Sequence, residues 1–165
     1  MDHPRIADFR KLTSGLADAG IDFILVGGAA ASLHGSSYPT SDYDIVHSRA
    51  PENLPRLLQL LSELDAIFRG QLSGRRITPN ESHLTAKGQI LLSTTLGPLD
   101  LLCQLHDGRG YEELLPHTVT ADVDGKPLRI LDLPTLIEVK TAAGRPKDLL
   151  VVAELLPILD RLTRG

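Results

Sequence analysis

The segment Ile24–Val46, ILVGGAAASLHGSSYPTSDYDIV, constrains the chain more than any other. It reads as a short strand, a Gly-Gly turn, a helix, a polar loop and a second strand carrying Asp42 and Asp44. Alternate residues of a strand share a face, so these two carboxylates point one way and Tyr43 the other. Adjacent carboxylates repel, and one is driven towards protonation unless a cation sits between them. Mg²⁺, a hard ion that takes oxygen ligands, suits such a pair. Gly27-Gly28 lead into a helix, whose first N–H groups form an anion site. A phosphate cradle followed by a metal-binding pair points to phosphoryl chemistry on a nucleotide.

A third carboxylate extends the pattern. Gln89–Leu105, QILLSTTLGPLDLLCQL, reads as two strands joined at Leu96-Gly97-Pro98, with Asp100 early in the second. A lone charge in an apolar strand is costly unless it is paired or metal-bound. If this strand neighbours the one bearing Asp42 and Asp44, three acids converge.

These residues resemble the nucleotidyltransferase superfamily of DNA polymerase β type. Its members carry a Gly-Gly or Gly-Ser turn, a helix, a DxD or DxE strand and a third acid on an adjacent strand. The match here is Gly27-Gly28, Asp42-Tyr43-Asp44 and Asp100. The minimal, AbiEii-like branch is more similar still. Its HG and R-x-T-x-D-x-D motifs correspond to His34-Gly35 and to Tyr38–Asp44, with Tyr38 standing where that branch carries Arg. The tail, Lys140 followed by Gly144-Arg145-Pro146-Lys147-Asp148-Leu149, also looks like that branch.

The resemblance implies an α/β (α+β) nucleotidyltransferase fold, a mixed sheet with flanking helices. It implies transfer of an NMP from an NTP to an acceptor hydroxyl, on RNA such as a tRNA end, on a protein or on an aminoglycoside-like small molecule. Asp42, Asp44 and Asp100 would be both the catalytic and the metal-binding residues, with Mg²⁺ or Mn²⁺ as cofactor. Gly27, Gly28, Thr40, Ser41 and Lys140 would bind the nucleotide. Membership of a toxin–antitoxin pair is a further expectation, and the acceptor pocket is expected from the C-terminal helices, a homodimer mate or a partner protein. The rival class is a non-catalytic binding module or antitoxin, and magnesium-dependent NTP binding separates the two.

Elsewhere the chain reads as ordinary globular sequence. Its 165 residues suit one domain, 1–165. The net charge of −4 argues against a general nucleic-acid coat, and three Phe, three Tyr and no Trp argue against base-stacking platforms. One cysteine, Cys103, excludes an internal disulfide, and no apolar run approaches a membrane span, so a cytoplasmic protein is expected. Helices are expected at Ile6–Ala19, Gly28–His34, from an Asn53 cap through Leu64, at Leu133–Ala143 and at Lys147–Leu162, the last bent or interrupted at Pro157. Strands are expected at Phe23–Val26, Asp42–His47 and within His83–Gln104. A hairpin turns at Asp124-Gly125. Arg69–Ser82 reads as a loop, with Arg69, Arg75, Arg76 and Lys87 as a solvated basic cluster or, alternatively, a phosphate rail for a nucleic-acid acceptor. Asp148 reads as a capping residue.

Overall fold

The computed structural model describes residues 2–71 and 74–165. The elements run α1 (Phe9–Asp18), β1 (Phe23–Val26), α2 (Gly27–His34), β2 (Tyr43–His47), α3 (Asn53–Glu63), β3 (Ile67–Phe68), α4 (Glu81–Thr85), β4 (Gln89–Thr94), β5 (Gly97–Leu102) and α5 (Tyr111–Leu114). After a 3₁₀ turn at Leu115–His117 come β6 (Thr118–Val123), β7 (Lys126–Leu131), α6 (Leu133–Ala143) and α7 (Pro146–Arg164). Among the described residues the strands form one mixed seven-stranded sheet in the order β3-β4-β5-β2-β1-β7-β6. The β2/β5 and β1/β7 pairs are parallel and the others antiparallel. This is the mixed sheet with flanking helices that the sequence pattern implies.

The central strands β1, β2 and β5 read as near-continuous apolar runs because both sheet faces are covered. Tyr43 is fully buried and looks towards α1: its ring lies 5.4 Å from that of Phe9, and its hydroxyl pairs with Thr13 Oγ1 at 2.7 Å. Burial pushes its phenol well above the usual range. Alternation then turns Asp42 and Asp44 to the opposite face, where α2 packs against α6 and α7.

Several boundaries differ from the sequence reading, each for a local reason. The first helix begins at Phe9 because the Asp8 side chain accepts from Lys11 N and caps it, leaving Ile6 outside and exposed. Asn53 is not the cap of α3. It is buried, and its amide joins Asp22 to Ser48 through three hydrogen bonds. Residues 81–85, where the strand reading begins at His83, form a helix held by a capping box between Asn80 and His83. The loop expected over Arg69–Ser82 includes Leu72 and Ser73, which lie outside the described residues. Helix α7 runs unbroken through Pro157. Pro157 and Ala153 are both exposed, so the carbonyl that loses its partner faces solvent. Among the described residues no helix is long and apolar enough to cross a membrane.

The Tyr43–Thr13 pair ties the strand that carries the acids to the helix behind it. Tyr43→Phe strands a buried hydroxyl and is expected to lower the unfolding free energy by about 1–2 kcal/mol. A urea midpoint unchanged in this variant would show that the pair contributes nothing.

Candidate active site

Strand register assembles the site. In the β1/β2 pair Val26 lies opposite Asp44, and in the β2/β5 pair Asp44 lies beside Asp100. One row across three strands therefore carries the start of the glycine turn, the second acid of the pair and the third acid. Asp42 stands just before β2, and one oxygen from each of Asp42, Asp44 and Asp100 lies within 4.8 Å of the others.

The glycines allow this approach. Gly27 has φ of +68°, and a Cβ there would collide with Asp44 Oδ2. A Cβ on Gly28 would stand 2.8 Å from Thr40 Oγ1. Only residues without side chains let α2 start against the acid strand and its loop. No side chain caps the N-terminus of α2, so its first N–H groups stay available. The loop is shaped by Thr40, whose hydroxyl donates to Asp42 O at 3.3 Å, and by Ser41, whose hydroxyl donates to Asp42 Oδ1 at 3.3 Å.

The acids are electrostatically frustrated. Asp44 is pushed up to about 7, first by burial and then by Asp100 and Asp42, with Lys140 opposing. Asp100 is raised as well, by burial first and also by Asp42, against the guanidinium of Arg69. Asp44 Oδ1 and Asp100 Oδ1 are both buried and make no aligned hydrogen bond. Three hard oxygen donors, with Asp44 Oδ1 buried and unpartnered and Asp100 Oδ1 met only by a guanidinium, fit a divalent cation such as Mg²⁺ or Mn²⁺.

Helices α6 and α7 supply the opposing charge. Lys140 on α6 is buried, not solvated, and its Nζ lies 3.5 Å from Asp148 Oδ1. Arg145 Nε donates to Asp148 Oδ2 at 2.6 Å. Burial alone would raise the Asp148 carboxyl, but Arg145 and Lys140 outweigh it and hold it below the usual range. Asp148 is 1% exposed, so it is more than a terminal helix charge: it anchors two cations over the acids. Arg69 also departs from the solvated-loop reading, because its Nη1 reaches Asp100 Oδ1 at 2.7 Å. Arg76 pairs with Asp65, away from the acids. His34 Nε2–H donates to Leu131 O at 2.8 Å, which fixes the ring's tautomer.

Two adjoining cavities meet at the acids and share Asp42, Asp44, Lys140 and Lys147. The smaller, about 160 Å³, is bounded by Gly27, Gly28, Tyr38, Thr40 and Ser41. The larger, about 400 Å³, holds Asp100 with Gln89, Gln104 and His106 over the apolar side chains of Leu131 and Val139. All eight residues named from the sequence thus border one composite site. Sequence reasoning missed Gln89, Gln104 and His106, which no motif marks. Arg145, inside the Lys140–Asp148 motif, borders both cavities as well.

The raised Asp44 carboxyl makes stability depend on pH with a definite sign. An unfolded Asp releases its proton near about 3.9, whereas the folded protein keeps that of Asp44 up to about 7. The stabilisation is complete below the unfolded value and disappears as pH rises through the folded one. In chelator, Asp44→Asn is expected to gain stability on the wild type as pH rises from about 4 to about 7, read from urea midpoints. A gap between the two proteins that stays constant with pH would contradict the assignment.

No protein-family model matches the chain, and no curated protein matches it. Solved structures do. The lincosamide antibiotic adenylyltransferase LnuA, with lincomycin bound, superposes with a TM-score of 0.63 at 11% identity, over 94% of this chain and 99% of that one. An antigenic nucleotidyltransferase-like protein from Paracoccidioides brasiliensis gives 0.61 at 19% identity, over 94% and 79%. A candidate nucleotidyltransferase from Thermotoga maritima gives 0.53 at 13% identity, over 93% and 96%. At such identities the likeness concerns architecture: this chain has the nucleotidyltransferase fold.

Proposed function

We propose that the protein is a metal-dependent nucleotidyltransferase that moves an NMP from an NTP to an acceptor hydroxyl. The observation that carries this reading is the junction of two cavities at three crowded carboxylates, with an uncapped helix N-terminus on one side. The smaller cavity suits the triphosphate. Its N–H groups from Gly27 and Gly28 and its hydroxyls from Thr40 and Ser41 face phosphate oxygens, and Lys140 adds positive charge. The larger cavity suits the acceptor, because Asp100 borders it and the glycines' hydroxyl partners do not.

In the reaction the acceptor oxygen attacks the α-phosphorus, the bond between the α-phosphorus and its bridging oxygen to the β-phosphate breaks, and pyrophosphate leaves. Asp100 takes the hydroxyl proton on its carboxylate as general base. A divalent cation held by Asp42, Asp44 and Asp100 would neutralise triphosphate charge and make the acceptor hydroxyl more acidic. Asp148 keeps Lys140 and Arg145 aimed at the leaving group's side of the site.

Among acceptors on RNA, protein or small molecules, the larger cavity favours a compact molecule. Its volume lies in the range of small-molecule sites, and the polar side chains of Gln89, Gln104 and His106 beside leucine and valine suit a hydroxylated molecule with an apolar part. The lincomycin-bound neighbour agrees with that choice. An NTP, a Mg²⁺ or Mn²⁺ ion and this acceptor are the ligands proposed. A place in a toxin–antitoxin pair and kinship with the AbiEii-like branch rest on sequence resemblance.

Incubation with each α-labelled NTP, Mg²⁺ and a panel of hydroxylated small molecules, RNA and protein tests the reading. Transfer of label is expected, and Asp44→Asn is expected to reduce it about a hundredfold or more while the fold stays intact. Label transfer that survives Asp44→Asn would place the chemistry elsewhere. Well-folded protein that labels nothing with any of the four NTPs would favour the binding-module class.

A further inference from the structure

Arg69 follows β3, yet its side chain acts two strands away. Its backbone N–H is pinned to Leu91 O on β4 at 2.9 Å, and Nη1 donates to Leu92 O on the same strand. From there the guanidinium reaches past β4 to Asp100 on β5, with Nη1 at 2.7 Å from Oδ1. The aligned hydrogen bond of that nitrogen goes to Leu92, and Asp100 Oδ1 is left with none. Asp100 therefore receives a neighbouring positive charge through one nitrogen and one oxygen, not through the two parallel bonds of a bidentate Arg–carboxylate pair. Such a contact stabilises a carboxylate and leaves its lone pairs open to another partner.

We infer that Arg69 is a tethered counter-cation of the acid cluster: it offsets the repulsion at Asp100 in the ion-free protein and competes with the divalent cation for that carboxylate. The inference rests on Asp42, Asp44 and Asp100 forming the cation site. Three acids this close destabilise the fold when ionised together, and Lys140 is already engaged with Asp148 on the far side of the site. Arg69 is the cation that the structure places against Asp100. Its side chain keeps 29% exposure, so water can solvate the guanidinium when it yields the carboxylate. A fixed positive charge beside a cation site lowers the affinity of that site, and its removal has a predictable sign. Arg69 is a positioning residue here, since it touches an acid of the site and not the substrate.

The sign separates this role from a merely structural one. A side chain that only braced the sheet would, when truncated, weaken both the fold and ion binding. A competing counter-cation weakens the ion-free fold and strengthens ion binding. The experiment measures Mn²⁺ binding by titration calorimetry for wild type, Arg69→Met and Arg69→Lys, with melting temperatures in chelator. Arg69→Met is expected to bind Mn²⁺ on the order of tenfold more tightly while melting lower without ions. Arg69→Lys should fall between, because it retains the charge on a different stem. A second measurement needs no variant: as Mg²⁺ is added to the wild type, the Arg69 side-chain nitrogen resonance should shift together with the Asp100 carboxyl carbon.

Wild-type binding with equal or weaker affinity in Arg69→Met overturns the inference and leaves the cation site standing. An Arg69 resonance that stays fixed while the carboxyl carbons move overturns it as well, even if both variants fail to fold. Absence of Mn²⁺ binding in every protein overturns the cation site and this inference together.

Discussion

Three carboxylates crowded on one face of the sheet are the constraint around which this structure is arranged. Placing Asp44 between Asp42 and Asp100 in a half-buried position is unfavourable, and the elevated carboxyls of Asp44 and Asp100 express that cost. A fold tolerates such a cluster only if compensation is built nearby. Here it comes from opposite sides. Arg69 stands against Asp100 from the edge of the sheet, and Lys140 approaches Asp44 from α6. Neither is near the acids in sequence, so the compensation exists only once the sheet and α6 are in place.

The same constraint explains the close packing around β2. The Asp44 side chain lies where a side chain on Gly27 would be, and Thr40 lies where one on Gly28 would be. Helix α2 thus begins in contact with the acid strand and its loop. Behind the strand, the buried Tyr43–Thr13 pair fixes the opposite face against α1. A strand pinned on both faces cannot rotate to carry its acids apart, which is the condition for holding them ready for a cation.

Much of this arrangement was legible in the sequence. Period-two spacing shows that Asp42 and Asp44 share a side, and a lone Asp100 in an apolar strand signals pairing. The glycine turn marks a helix N-terminus. These features are local, and local chemistry survives folding. Arg69 was not legible, because its role depends on β3 lying beside β4 and β4 beside β5, a register that no spacing encodes. Lys140 was named through the resemblance, but its burial was not legible, since only the packing of α6 against α7 takes that lysine out of solvent. Asp148 could be placed at a helix start from its position, but its two-cation grip required the turn at Gly144 to bring α6 and α7 together. The helix at Glu81–Thr85 was hidden for another reason. Its capping box uses Asn and His in place of the commoner Ser/Thr and Glu/Gln pair, so the signature did not stand out.

The local charge balance gives an independent argument for an imported cation. Asp42, Asp44, Asp100 and Asp148 border the composite cavity, and Lys140, Arg145 and Lys147 border it with them. Arg69 stands beside Asp100, but Asp148 engages both Lys140 and Arg145. Lys147 has no carboxylate partner among the described residues, and it is exposed. A triphosphate would therefore add several negative charges to a site whose own cations are nearly all engaged with its own acids. N–H dipoles at the start of α2 offset part of that charge, equivalent to roughly half an elementary charge. The remainder exceeds what the chain can supply without breaking the pairs that hold the site together. On the proposed function, a positive charge brought with the nucleotide would resolve the imbalance, and the buried, unpartnered Asp44 Oδ1 would be among its ligands.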